Sequence, residues 1–373
     1  MRSASRLATF IAAIAATIMC SAVSACAQAP PDQIDAVFAA YKTAREPGVA
    51  VLVVYKGEPV FRRGYGVTDL RTMHAINPET NFRLASFTKQ FTAACIMLLV
   101  HDGRLHYDDH LTDVFPEFPA YGKSITIRNL LNHTSGLPDY EDLLMKQYPN
   151  TPEDKIPQIH DSEVLKLLEQ QTAGRFAPGS KWEYSNSGYV TLAMVVEKIS
   201  RKPFREFLQE RIFAPLKMTH TLAYEKGKNE VSNRAFGHTK EKNGWRETDQ
   251  SPTSATLGDG GIYTSVDDLA KWDAAIRDHT LLSEEEMRPA LTAVTGPEHF
   301  FDGYPLRYGF GWFLDPYKAH NRMYHDGETI GFRTTIQRFP DDQLTVIVLA
   351  NRADANPEDL ALKVADLYMG MKN

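Results

Sequence analysis

Segments with strand character occur near both ends of the chain, and a long helical region separates them. Near the start, Val49 to Tyr55 is β-branched and apolar, and Val60 to Val67 alternates after the turn Lys56-Gly57-Glu58-Pro59. Strand patterns return only after Gly260. Because the early and the late strands need each other to bury their apolar faces, both ends of the chain must build one sheet.

Helical periodicity fills the middle of the chain and marks a helix before the first strand and after the last. A helix is predicted from Gln33 to Ala44, before the break at Pro47-Gly48, and an amphipathic helix from Pro357 to Met369. Helices of the middle region are predicted at Phe87 to Val100, Ile127 to Leu131, Ser162 to Gln171, Gly188 to Ile199 and Phe204 to Ile212. The late strands are predicted at Gly309 to Leu314, Met323 to His325, Thr334 to Phe339 and Leu344 to Leu349.

This order of elements predicts an α+β fold, in which an antiparallel β-sheet is flanked by terminal helices and carries a large inserted helical lobe. We expect a single domain over residues 30–373. Its sheet lobe would comprise about residues 30–85 and 255–373, and its helical lobe about residues 86–254. With 373 residues, 43% of them hydrophobic, the chain is long enough to bury such a core.

The first residues predict export. Arg2 and Arg6 stand at the start of an apolar stretch that runs from Leu7 to Val23, as in a secretory signal peptide. Cleavage after Ala27-Gln28-Ala29 would remove residues 1–29 and release the protein into a bacterial periplasm or the medium. The segment Val23-Ser24-Ala25-Cys26 also resembles a lipobox, and lipidation at Cys26 would instead anchor the protein to a membrane.

Composition narrows the classes of function. A net charge of −6 disfavours a nucleic-acid partner, and three cysteines without a C-x-x-C pair exclude zinc-ribbon and thioredoxin motifs. His101, His106 and His110 could suggest a metal site, but the turn-prone Asp108-Asp109 predicts a loop there, and no H-E-x-x-H signature occurs. We therefore predict neither a metal nor an organic cofactor.

A serine and a lysine stand three residues apart where a loop meets a long apolar helix, in Ser86-Phe87-Thr88-Lys89. On a helix this spacing places the hydroxyl and the amine on one face, which suits proton transfer. The helix dipole would favour the negative charge that develops when the serine oxygen attacks a carbonyl, and burial would lower the pKa of the lysine. Serine is also a preferred N-cap residue, so this motif alone leaves a purely structural role open.

Two further clusters offer complementary chemistry. Tyr184-Ser185-Asn186 precedes a predicted helix, where the phenol could relay a proton and the amide could hold a substrate carbonyl or the lysine. His325-Asp326-Gly327 ends a predicted strand, where Gly327 would let a substrate backbone approach and the amide of Glu328 could face the site. Each cluster has a structural alternative, as a half-buried aromatic residue, a helix cap or a structural histidine.

In this order, S-x-x-K, Y-x-N and H-x-G resemble the motifs of the serine β-lactamase and penicillin-binding protein superfamily, in the branch of class C β-lactamases, D-alanyl-D-alanine carboxypeptidases and related esterases. Leu131 to Leu137 is similar to the H-T-S-G-L loop of that family, and Gly260 to Ser265 to its glycine-rich segment. The resemblance extends over nearly all of the chain after the leader and implies a β-lactamase-like fold of two lobes.

The resemblance implies a role for each matched residue of the first two motifs. Ser86 would be the acylated nucleophile, Lys89 its partner in proton transfer and Tyr184 the general base or acid. Asn186 would contact the substrate amide. Which of Lys89 and Tyr184 accepts the serine proton stays open.

On the strand side, His325 would stand where many relatives have the lysine of K-T-G, and the backbone amides of Ser86 and Glu328 would form the oxyanion hole. Asp326 takes the place of a hydroxyl residue that binds a substrate carboxylate in those relatives. If its carboxylate points into the site, it repels anionic β-lactams and peptide C-termini and favours neutral esters, amides or cationic peptides. A pairing of Asp326 with an arginine such as Arg333 is the alternative.

These expectations describe an exported serine hydrolase that forms an acyl-enzyme on Ser86 and cleaves an ester or an amide, as an esterase, a D-stereospecific peptidase or carboxypeptidase, or a β-lactamase. Its partner would be a small molecule or peptide that carries the scissile bond. The alternative is a penicillin-binding or scaffold module of the same fold that does not turn over. The segments His220 to Ser251 and Ala290 to Tyr308 would shape the pocket walls.

Overall fold

The computed structural model describes residues 29–294, 300–301, 304–305 and 307–370. The predicted leader up to residue 28 and part of the predicted wall segment from Ala290 to Tyr308 therefore lie outside the described residues.

The helices are α1 (Pro31–Val37), α2 (Lys89–His101), α3 (Leu111–Val114), α4 (Ile127–Leu131), α5 (Tyr140–Gln147), α6 (Asp161–Glu169), α7 (Asn186–Ser200), α8 (Phe204–Leu208), α9 (Val266–Arg277), α10 (Glu284–Met287) and α11 (Pro357–Met369). The strands are β1 (Val49–Tyr55), β2 (Glu58–Tyr65), β3 (Phe82–Arg83), β4 (Leu222–Ala223), β5 (His238–Glu241), β6 (Gly244–Glu247), β7 (Ile262–Thr264), β8 (Phe300–Phe301), β9 (Tyr304–Pro305), β10 (Met323–Thr329), β11 (Phe332–Phe339) and β12 (Leu344–Ala350).

Five antiparallel strands form the main sheet, in the spatial order β10-β11-β12-β1-β2. β1 pairs with β12 along its whole length, from Val49 opposite Ala350 to Tyr55 opposite Leu344. The early and the late strands therefore lie side by side in one sheet. The prediction of an α+β fold with an antiparallel sheet is confirmed.

Strand β1 is apolar at every position because both faces of the sheet are covered. Val49, Val51 and Val53 belong to the core cluster that contains residues of the terminal helices α1 and α11. Ala50 and Leu52 point the other way and join the larger core cluster, which includes residues of helix α9 packed against β1. Since successive side chains of a strand alternate between faces, a strand that is buried on both sides must be apolar throughout.

Helix α2 forms the centre of the helical lobe. All residues from Lys89 to Leu99 are buried, and the helix packs against α7. A second sheet, in the order β3-β7-β4, pairs Phe82 with Thr264 and so brings the segment before α2 next to the segment before α9. The chain around the predicted serine and lysine is therefore held both by this sheet and by α7.

The first helix and one of the late strands differ from their sequence predictions. The first helix ends at Val37 and is followed by a 3-10 turn over Ala39–Tyr41. The predicted strand from Gly309 to Leu314 is a loop, in which the Gly309 amide donates to the Trp312 carbonyl at 2.8 Å. Gly311 has a left-handed φ of +76°, and a Cβ atom there would lie 3.0 Å from the Lys89 carbonyl oxygen. Its lack of a side chain lets this loop pack onto the start of α2.

None of the helices within the described ranges combines the length and the apolar character needed to cross a bilayer.

Candidate active site

Ser86 lies in a 3-10 turn, Ala85–Thr88, directly ahead of α2. Ala85 has a left-handed φ of +51°, a conformation that non-glycine residues rarely adopt and that is frequent at functional sites. The sheet holds the turn, because the Thr334 hydroxyl donates to the Leu84 carbonyl at 2.8 Å. A Cβ atom on Gly327 would lie 2.0 Å from the same carbonyl oxygen. The lack of a side chain at Gly327 therefore makes room for the Leu84 carbonyl. The structure shows this contact, whereas the prediction was that a substrate backbone approaches Gly327.

The side chain of Lys89 is fully buried at the start of α2. Its Nζ atom donates to Ser86 Oγ at 3.0 Å, to Asn186 Oδ1 at 2.8 Å and to the backbone carbonyl of Asp259 at 3.1 Å. An ammonium group has three protons, so these acceptors satisfy all of them. Burial lowers the pKa of Lys89 to about 8, although the charges of Asp259 and Glu141 oppose this shift. The amine can therefore gain and lose a proton near neutral pH beside the serine hydroxyl.

Tyr184 and Asn186 reach the same point from the start of α7. The side chain of Ser185 caps this helix by accepting a hydrogen bond from the Gly188 amide at 3.1 Å. The Lys89 amine lies 4.8 Å from the centre of the Tyr184 ring. Burial raises the pKa of Tyr184 well above its usual value, and the nearby Ser86 hydroxyl opposes the rise. The phenol therefore keeps its proton at neutral pH.

His325 is buried and lies inside the edge strand β10, which continues to Thr329 and does not end at His325 as predicted. Its Nδ1 atom is 2.7 Å from the backbone carbonyl of Asp326, which can only accept, so Nδ1 carries the proton. In the neutral ring, Nε2 then accepts from the Tyr308 hydroxyl at 3.1 Å. Burial and the nearby charge of Lys89 lower the pKa of His325 to about 3. The residue at the position of the family's lysine is therefore uncharged at neutral pH.

The side chains of Asp326 and Glu328, on the same strand, lie outside the group around Lys89. The Asp326 carboxylate accepts a hydrogen bond from the Thr335 hydroxyl, and burial, with the charge of Glu358, raises the pKa of Asp326. The alternative pairing of Asp326 with Arg333 is not formed. Arg333 instead lies 2.7 Å from the carboxylate of Glu328, whose side chain is largely exposed. Neighbouring strand residues alternate between faces, so Asp326 points away from the face that carries His325.

Glu141, on α5, is a site residue that the sequence analysis missed. Its Oε1 atom accepts from Asn186 Nδ2 at 3.1 Å, so the Asn186 amide links this carboxylate to the amine of Lys89. Burial and the neighbouring carboxylate of Asp259 raise the pKa of Glu141 to about 7. Glu141 was missed because it lies 45 residues before Asn186, and no pattern in the sequence predicts a contact over that separation.

The glycine-rich turn before β7 supplies the third acceptor for Lys89. The buried carboxylate of Asp161 accepts from the amides of Leu257 at 2.8 Å and Gly258 at 3.0 Å, which fixes this turn. The Thr92 hydroxyl donates to the Gly258 carbonyl at 2.6 Å from the side of α2. The backbone carbonyl of Asp259 is therefore held in place.

The histidines that were considered for a metal make separate contacts. His101 lies 2.5 Å from Glu286, and His106 lies 3.5 Å from Asp109. His110 precedes α3, where its amide donates to Asp113. Within the described ranges, no group of three or more histidine, cysteine or acidic side chains is arranged to hold a metal ion.

Taken together, the site has a partly exposed serine hydroxyl, a buried amine that titrates near neutral pH, a protonated phenol and an amide that orients the amine. A hydroxyl with an adjacent proton acceptor is the arrangement that activates a nucleophile for attack on a carbonyl. The fold and the site therefore define a serine hydrolase.

Comparisons with known proteins agree with this class. The model of the Beta-lactamase family matches residues 34–368. The chain is 31% identical over 331 residues to a penicillin-binding protein of Bacillus subtilis, an alignment that covers 85% of this chain and 71% of that protein. It is 29% identical over 333 residues to a D-aminopeptidase of Brucella canis, with 87% of this chain and 60% of that protein covered. A solved structure of a D-amino acid amidase from Ochrobactrum anthropi has the same fold, with a TM-score of 0.78, 23% identity and coverage of 92% of this chain and 99% of that chain.

The chain belongs to the beta-lactamase family, and the resemblance drawn from its three motifs is confirmed. It spans less than two thirds of the length of the Brucella D-aminopeptidase.

We expect His325 to stay neutral, with its proton on Nδ1, across the pH range in which the enzyme works. The reason is the burial of the ring beside Lys89, which lowers its pKa to about 3. Two-dimensional NMR of the imidazole nitrogens, assigned with a His325→Gln variant, measures this directly. A His325 titration with a midpoint above about 6, the ordinary range of an exposed histidine, would contradict the described hydrogen bonds.

Proposed function

We propose that this hydrolase forms an acyl-enzyme on Ser86 as it cleaves an amide or an ester. The observation that carries the proposal is the hydrogen bond of 3.0 Å between Ser86 Oγ and the Lys89 amine, whose pKa is about 8. A general base is most effective when its pKa lies near the working pH. The phenol of Tyr184, with a pKa well above 10, is a poor base at that pH but a good proton donor.

In the proposed acylation step, neutral Lys89 takes the proton of the Ser86 hydroxyl while Ser86 Oγ forms a bond to the substrate carbonyl carbon. The bond from that carbon to the leaving nitrogen or oxygen then breaks, and Tyr184 gives its proton to the leaving atom. The Lys89 ammonium returns a proton to Tyr184, so both groups regain their starting states. Water releases the acyl group by the same transfers in reverse order.

The developing oxyanion would be held by the backbone amides of Ser86 and Glu328. Ser86 lies in the turn before α2 and Glu328 on the adjacent edge strand β10, which pack against each other. Two preorganised amide donors on a developing negative charge stabilise such a transition state by several kcal/mol, on the order of 3 per donor.

For the substrate, we propose an amide or short peptide whose acyl part is a D-amino acid with a free ammonium group. The names of two similar proteins, a D-aminopeptidase and a D-amino acid amidase, point to this class. The charges at the site support it above about pH 7, because Glu141, with a pKa of about 7, is then mostly ionised next to Asn186, while His325 is neutral where many relatives have a cationic lysine. A cationic substrate is therefore favoured over an anionic β-lactam. In this account Glu141 exerts the repulsion that the sequence analysis assigned to Asp326.

The direct test of the mechanism is a burst experiment with p-nitrophenyl acetate, D-phenylalanine p-nitroanilide and nitrocefin, followed by intact mass spectrometry. We expect one acyl group per chain in the wild type and none in Ser86→Ala, with turnover reduced by about a thousandfold or more in the variant. Labelling that persists in Ser86→Ala would refute the assignment of the nucleophile. A stable adduct without turnover on any substrate would instead favour the penicillin-binding or scaffold module.

We expect Glu141→Gln to lower the preference for the cationic D-phenylalanine p-nitroanilide over anionic nitrocefin by about tenfold, measured as the ratio of kcat/KM values. Glutamine keeps an oxygen that can accept from Asn186, so the change isolates the charge. Asp142→Asn is the matched control, because Asp142 is exposed and one residue further along α5. An equal change of the ratio in both variants would argue against a specific role for Glu141.

A further inference from the structure

The H-T-S-G-L segment, which resembles the family motif but has received no function so far, is hydrogen-bonded to the segment that leads to Tyr184. It follows α4, and three of its carbonyls accept hydrogen bonds from amides of the segment that leads to Tyr184. These pairs are Gly136 with Arg175 at 2.7 Å, Thr134 with Gly179 at 2.9 Å and His133 with Glu183 at 3.0 Å. The two segments are therefore joined along their backbones.

His133 adds a side-chain contact to this joint. Its Nδ1 atom accepts from the Ser185 amide at 3.1 Å, so Nδ1 is unprotonated and the proton is on Nε2. The residue is fully buried, and burial lowers the pKa of His133 well below its usual value. The ring therefore remains neutral and remains an acceptor for the backbone of the residue that follows Tyr184.

The imidazole ring also packs on the Tyr184 ring. The two ring centres are 4.4 Å apart, and the Tyr308 ring centre lies 4.5 Å from the same imidazole. Tyr184 thus contacts His133 and the Lys89 amine, which is 4.8 Å from its ring centre. A backbone φ of +63° at His133 shows that the chain adopts an uncommon conformation to place this ring.

We propose that His133 is a positioning residue, whose ring and Nδ1 atom together hold the Tyr184 phenol where it can protonate the leaving group. The inference rests on the proposed function, since it gives Tyr184 the task of proton donor. His133 itself does not contact the substrate. It orients Tyr184 and therefore affects the step in which a poor leaving group departs.

Two substitutions separate the two contacts. His133→Asn keeps an oxygen close to the position of Nδ1 and removes the ring, whereas His133→Phe keeps a ring and removes the acceptor for the Ser185 amide. The readout is the ratio of the single-turnover acylation rate for D-phenylalanine amide to that for the p-nitrophenyl ester of D-phenylalanine, because deacylation also uses Tyr184 and is common to both substrates. An amine must be protonated to leave, but p-nitrophenolate leaves without a proton.

We expect this ratio to fall at least tenfold in each variant, in the same direction as in Tyr184→Phe. In the double variants with Tyr184→Phe, the loss should not add to the loss from Tyr184→Phe alone, because both changes act on one proton transfer. His238→Asn is the control for general destabilisation, since His238 is also a buried histidine but lies on β5. Its ratio should equal that of the wild type.

Equal losses of the amide and ester acylation rates in the His133 variants, or losses that add to that of Tyr184→Phe, would overturn the proposal. The acyl adduct on Ser86 in the wild type is measured first. Its absence would refute the proposed function itself, whereas its presence with an unchanged ratio in the His133 variants would refute only the role of His133.

Discussion

The site depends on the burial of a single amine, that of Lys89. Water is excluded from the amine, so protein groups must replace its hydration, and they do so with a hydroxyl, an amide oxygen and a backbone carbonyl. These acceptors come from the turn before α2, from the start of α7 and from the turn before β7. One buried charge therefore requires three distant parts of the chain to meet, and the same burial lowers the pKa of Lys89 to about 8.

The remaining groups of the site are tuned in relation to this amine. His325 is neutral because it is buried near the Lys89 charge, and Tyr184 keeps its proton because burial disfavours the phenolate. Glu141 and Asp259 oppose the loss of charge on Lys89 and prevent its pKa from falling further. Lys89 therefore titrates near neutral pH and can act as a base, whereas Tyr184 keeps its proton there and can act as an acid. A reaction that both removes and delivers a proton needs such a pair.

Much of this arrangement could be predicted from the sequence, because it leaves local patterns. The apolar runs of β1 and β12 and the amphipathic helix α11 follow from periodicity, and α11 has the predicted bounds. The S-x-x-K spacing predicts that Ser86 and Lys89 lie close together, because only two residues separate them in a helical turn, and their side chains are indeed hydrogen-bonded. The hairpin of β5 and β6, which lies in a predicted wall segment, was missed because its polar, exposed residues lack strand periodicity.

Other contacts leave no trace in the sequence. A backbone carbonyl, such as that of Asp259, has no residue type that marks it as the acceptor for Lys89. Glu141 lies in a different helix from Asn186, and Tyr308 is 17 residues from His325, so only the fold brings these pairs together. The loop from Gly309 to Leu314 was mistaken for a strand because its aromatic residues alternate with glycines, and the left-handed conformation of Gly311 permits the turn.

In the proposed mechanism Lys89, with its lowered pKa, accepts the proton of Ser86. The most direct measurement is the single-turnover rate of Ser86 acylation by p-nitrophenyl acetate from about pH 6 to about pH 10, in the wild type and in Glu141→Gln. We predict a rate that rises about tenfold per pH unit and levels off with a midpoint near 8 in the wild type. In Glu141→Gln the rise should persist with a lower midpoint, because the charge of Glu141 raises the pKa of Lys89. A rate independent of pH, or one that still rises at about pH 10, would contradict the role of Lys89 as the base.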